Sequence, residues 1–122
     1  MMPLSEELQR ACEALGRTLA ESRPVREYLE AQARLEADPE ARALEEEFRQ
    51  LYQDLLTRQQ AGEELPREEV DRFYRLRNQV EVHPLIVERD VALGELKQYF
   101  ADVAFQLSAL LGADYTVLAR RA

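Results

Sequence analysis

One long helical pattern, from Pro84 to Leu111, constrains this chain more than any other stretch, because it is apolar on two sides. Ile86, Leu93, Phe100 and Leu107 recur at heptad spacing, as do Leu96, Val103 and Leu110. The two series merge into one stripe whose sole interruption is Arg89. A second stripe consists of Val87, Val91, Gly94, Ala101 and Phe105. At about 100° per residue it lies nearly opposite the first. Polar residues separate the two, with Asp90 and Lys97 on one flank and Glu88, Glu95, Asp102 and Gln106 on the other. A helix of this span is roughly 40 Å long at about 1.5 Å per residue. One stripe faces the chain's own core. The second needs a further cover, either another helix of the same bundle or a second chain, and both readings stay open. Gly94 and Ala101 are small enough to admit a neighbouring backbone.

A length of 122 residues fits one domain with a modest core. Hydrophobic residues make up 46% and charged residues 33%, the balance of a folded soluble chain rather than a disordered one. No apolar run reaches the length of a membrane span. The first residues lack a basic segment followed by an apolar one, so no signal peptide and a cytoplasmic location are expected. Cys12 is the single cysteine, which excludes an intrachain disulfide. The net charge of −8 argues against direct nucleic-acid binding, which calls for a basic patch. Arg120 and Arg121 are the nearest approach to one.

Punctuation residues divide the chain into about five helices. The first runs from about Ser5, a plausible N-cap, to Ala20, with Leu4, Leu8, Cys12, Leu15 and Leu19 in one narrow stripe. Cys12 reads there as a core filler. Pro24 interrupts the pattern, and a second helix follows to about Glu36, with Val25, Tyr28, Leu29 and Leu35 inward. Asp38-Pro39-Glu40 supplies a cap, a first-turn proline and an acidic residue at the positive helix end. The third helix then extends to Ala61, with Ala41, Leu44, Phe48, Leu51, Tyr52, Leu55 and Leu56 on one face and Gly62 as terminator. Exposed charge pairs are expected at Glu13–Arg17, Glu45–Arg49 and Asp54–Arg58. Pro66 opens the fourth helix, which carries Val70, Phe73, Leu76 and Val80. His83-Pro84 breaks or kinks the chain before the long helix. Gly112 closes that helix, and residues 113–122 are expected as a flexible tail.

The chemistry-bearing residues do not converge. His83 is the only histidine, and Val80 stands where a Glu-x-x-His metal pair requires a carboxylate. His83 and Cys12 alone cannot furnish a zinc site. The acidic runs, Glu45 to Glu47 and Glu63, Glu64, Glu68 and Glu69, read as solvated helix faces. No catalytic, cofactor-binding or metal site is expected, and an enzyme is not.

The stretches LGRTLAESRPVREYLEAQARLEADPEARALEEEF, QQAGEELP and VEVHPLIVERDVALGELKQYF resemble the YlbF/YmcA-like family of small helical bacterial regulatory proteins. The likeness lies in the Ser22 break, Tyr28, Leu35, the Asp38, Glu40 and Ala41 start, Phe48 and the proline-marked junction, and it spans roughly Leu4 to Leu111. It implies an all-α, elongated bundle that self-associates and acts as a non-enzymatic regulator. It also implies complexes linked to RNA processing and development through a membrane-anchored endoribonuclease. Iron–sulfur binding by cysteines of some members does not carry over to a chain with Cys12 alone. The expected protein is thus a single-domain adaptor, a dimer in the first instance. Its partner interface would be Val87, Val91, Gly94, Ala101 and Phe105, with no membrane insertion. The alternative is a chaperone-like helical module that holds other proteins in an apolar groove.

Overall fold

Short polar side chains, prolines and glycines set the helix ends, and the architecture follows from them. The computed structural model describes residues 2–120. These form α1 (Glu6–Glu21), α2 (Arg23–Ala37), α3 (Pro39–Gln60), α4 (Arg67–Val82), α5 (Pro84–Leu111) and α6 (Tyr115–Ala119), with no strand among the described residues. The chain is all-α, as its periodicity implies, and α5 is the longest helix at 28 residues. Ser5 Oγ accepts the Leu8 amide at 3.1 Å, and Asp38 Oδ1 accepts the Ala41 amide at 3.0 Å. Each satisfies a donor that the first helical turn leaves unpaired. At the end of α3, Gly62 takes φ 82°. The Gly62 amide donates to Gln59 and the Glu63 amide to Arg58, so a left-handed glycine closes the helix with paired carbonyls.

The junction at Pro84 is a break between two helices. His83 has extended geometry, φ −70° and ψ 123°. Its Nδ1 accepts the Leu85 amide at 3.2 Å, so the lone histidine caps α5. The segment expected as a flexible tail differs from that reading, because it contains α6. Asp114 caps it, and residues 121 and 122, Arg121 among them, lie outside the described residues.

The backbone divides into two compact units, Met1–Leu29 with Ala92–Ala122, and Glu30–Val91. The second unit holds the packed core. Its α3–α4 hairpin buries Leu51, Leu55 and Leu76 against Leu44, Phe48, Leu65 and Phe73. Phe48 and Phe73 meet edge to face at 5.3 Å, an arrangement favoured by the ring quadrupoles. A second cluster joins Leu35, Ala41 and Ile86, with Leu44, Val80 and Leu85 against it. At the hairpin tip Arg58 reaches Glu69 at 2.8 Å, Glu63 at 3.0 Å and Asp54 at 3.3 Å. Glu69 foremost, then Glu63, hold the guanidinium's pKa above its ordinary value.

Arg89, the one interruption of the first stripe, has its own enclosure in this unit. Its side chain is 16% exposed. Nη1 donates to Glu45 Oε1 at 3.1 Å and to Gln32 Oε1 at 3.1 Å, Nη2 pairs with Glu45 Oε2, and Nε meets Asp90 at 2.8 Å. Glu45 raises the arginine's pKa against the opposing effect of burial. Glu45 therefore does not pair with Arg49 as its spacing suggests, and Arg49 turns to Glu46 instead. Of the other expected pairs, Asp54–Arg58 forms and Glu13–Arg17 is not among the ion pairs.

The first unit buries far less. Among its described residues only Ala92 and Leu96 are buried. Helix α1 has no buried residue, and Leu4, Leu8 and Leu15 are exposed. Cys12 is exposed too, which corrects its reading as a core filler: a stripe is covered only where another element packs on it. Leu29, expected inward, is likewise exposed.

Candidate protein-interaction site

The two stripes of α5 fare differently. Ile86 and Leu96 of the first are buried, and Leu93, Val103 and Leu107 are half-buried. Phe100 and Leu110 of the same stripe are exposed. Every member of the second stripe is exposed: Val87, Val91, Gly94, Ala101 and Phe105. Val91 is 57% and Phe105 71% exposed, so most of each apolar surface lies in water. A Cβ placed on Gly94 would meet nothing within 4 Å, so no neighbour of its own chain explains this glycine.

Towards its C-terminal end the stripe borders a cleft lined by Ala101, Ala104, Phe105, Ser108 and Ala109, with Asp114 and Thr116 at a polar lip. A tether shapes it. Ser108 Oγ donates to the Ala104 carbonyl at 2.8 Å and accepts the Tyr115 amide at 2.8 Å. Asp114 Oδ1 accepts from the Thr116 hydroxyl at 2.7 Å and from the Thr116 amide at 3.0 Å. The Thr116 hydroxyl, followed by the Val117 amide, holds the Asp114 carboxyl below its ordinary pKa. Val117 and Leu118 of α6 are exposed as well. The sequence reading missed this element, although Asp114 ahead of a Thr-Val-Leu run is a short start signal.

The geometry offers surface rather than chemistry. Among the described residues no group of three or more His, Cys, Asp or Glu side chains is placed to hold a metal ion. Also among them, no helix is long and apolar enough to cross a membrane. His83 is engaged as a cap.

Fold and surface together define a small all-α protein with an uncovered apolar helix face. The chain belongs to the YlbF/YmcA family, described as control of competence regulator ComK, whose family model it matches over residues 8–111. It is similar in fold to a chain in the X-ray crystal structure of Bacillus subtilis RicA in complex with RicF. That likeness has a TM-score of 0.76 at 19% identity and covers 89% of this chain and 96% of the other. No curated protein matches the chain.

Proposed function

We propose that this protein is a non-enzymatic adaptor that regulates by forming helix-mediated complexes, with itself and with protein partners, through the second stripe of α5. One observation carries the reading. The stripe lies open, with Phe105 71% exposed, and the unit that contains Phe105 buries only Ala92 and Leu96 among its described residues. Exposed apolar area costs about 25 cal/mol per Å², and patches of this kind mark sites for other proteins. The regulatory role of the family supports the adaptor reading. The fold neighbour, solved as RicA with RicF, supports protein partners. We place the first complex as a homodimer in the cytoplasm, and its wider role in RNA processing and developmental regulation.

Substitution of Val91 by Glu tests this. A carboxylate in the middle of a covered apolar stripe is costly to bury without a partner. The variant is expected to lose its assembled mass in analytical ultracentrifugation while its far-ultraviolet circular dichroism stays that of the parent. An unchanged assembly state would remove the stripe as the interface.

A further inference from the structure

The open stripe of α5 keeps a strict alternation of three and four residues once Gln98 is counted in it. Val91, Gly94, Gln98, Ala101 and Phe105 follow one another at that spacing, and all five are exposed. This is the seam by which two helices interlock, with Val91, Gln98 and Phe105 at a positions and Gly94 and Ala101 at d. The two small d residues let a second backbone come close. Gln98 is the polar member. Its amide donates to Asp102 Oδ1 at 3.2 Å within the same helix, a weak exposed contact. Covered by an apolar partner, this amide would lose its hydrogen bonds to water and gain nothing. A second α5 placed in register brings its own Gln98 to the same level, so each amide can donate to the oxygen of the other. A single polar residue at an a position is a known device for fixing register and copy number.

The flanks of the seam decide its direction. Between Ala92 and Leu111 the helix carries three charged side chains, Glu95, Lys97 and Asp102. Lys97, the only lysine of the chain, stands at a g position, and Glu95 and Asp102 stand at e. All three are exposed, and none belongs to an ion pair among the described residues. In a parallel pair each g residue faces the e residue five places further along the other helix. Lys97 then meets Asp102 of the other copy, and the twofold axis makes this contact twice. An antiparallel pair brings e against e and g against g. It would set Glu95 against Asp102 and Lys97 against Lys97, like charges at every crossing. The parallel register also brings Asp90 near Glu95, but Asp90 is already held by Arg89 at 2.8 Å.

We infer that the second stripe of α5 is covered by α5 of a second copy, parallel and in register, with Gln98 setting the level and the Lys97–Asp102 crossings setting the direction. The inference rests on the proposed self-association through this stripe, and adds its geometry and the residues that specify it.

Charge reversal in the full chain tests this. Analytical ultracentrifugation at low salt measures the dimer dissociation constant of the parent, Lys97→Glu, Asp102→Lys and the double reversal, with circular dichroism to verify helicity. Both positions are exposed, so folding is expected to survive. Each single reversal places like charges at both crossings and is expected to weaken the dimer about fivefold or more; the double reversal is expected to return to within about twofold of the parent. An antiparallel pair gives the opposite sign for Asp102→Lys, because the new lysine would face Glu95. A second measurement reads the register. With Cys12 replaced by Ser, Ala101→Cys is expected to link to itself under mild oxidation, and Gln106→Cys, off the seam, is the control. A parent that stays monomeric overturns the inference together with the proposed self-association. A dimer strengthened by Asp102→Lys, a dimer unmoved by both single reversals, or Ala101→Cys linking no better than Gln106→Cys also overturns it. In those three cases the stripe itself still stands as an interface if Val91→Glu dissociates the parent assembly, and falls as well if Val91→Glu leaves it unchanged.

Discussion

Replacing Arg89 by Ala is expected to cost about 2 kcal/mol. The guanidinium is 16% exposed and the Glu45 carboxylate that it holds is 33% exposed. Removing the arginine strands that carboxylate and the Gln32 amide oxygen, which accept three of its hydrogen bonds. A fully buried pair broken on one side costs about 3–5 kcal/mol, and an exposed pair about 0–1 kcal/mol. The partial exposure of Glu45 sets the expected value between these limits. For a chain of this size about 2 kcal/mol lowers the melting temperature by roughly 8 °C. Replacing both partners by apolar residues, Arg89→Met with Glu45→Leu, removes the stranded charge. That double variant is expected to lie within about 1 kcal/mol of the parent. Urea unfolding of the parent, Arg89→Met, Glu45→Leu and the double variant completes the cycle. A loss under about 0.5 kcal/mol for Arg89→Ala, or a double variant weaker than either single one, would refute the account of Arg89 as a paired charge within an apolar stripe.

Asp114 gives a pH dependence with a definite sign. Its folded pKa lies below the ordinary 3.8, so its contribution to α6 is complete above that value and is lost as pH falls through the lowered one. The Thr116 and Val117 amide resonances are expected to hold steady down to about pH 4 and to move towards random-coil positions only below it; a titration midpoint at or above the ordinary 3.8 would contradict the cap. Gly94 lies within helix α5 with open space at its Cβ position, so Gly94→Ala is expected to stabilise the chain by about 1 kcal/mol in thermal melts at low concentration. A destabilised variant would show that a backbone approaches Gly94 closely even in the dilute state.

The helix ends were legible because their causes are local. Ser5, Asp38-Pro39, Gly62, His83-Pro84 and Gly112 act on the turn beside them, and each marks a boundary in the structure within a residue or two. Burial was less legible, because periodicity aligns side chains without saying what covers them. The first α5 stripe shows this: Ile86 is 1% exposed where Leu35 and Ala41 pack on it, whereas Leu110 of the same stripe is 85% exposed. Cys12 and Leu29 follow the same rule. The partner of Arg89 was hidden for a related reason. Glu45 has a local candidate in Arg49, but a position 44 residues away offers a drier and better oriented cation. The five residues of the candidate interface could be read as a stripe, and their exposure became visible only once the remaining helices had been placed.

The hairpin closed at Gly62 also bears on the order of events as the chain folds. Its two arms are neighbours in sequence, and Phe48 finds Phe73 across a single short turn, so little chain entropy is lost in closing it. Structures ruled by such nearby pairings form in microseconds to milliseconds. The hairpin is therefore expected to form without a second molecule, and the proposed self-association, being bimolecular, would follow at a pace set by the protein's concentration.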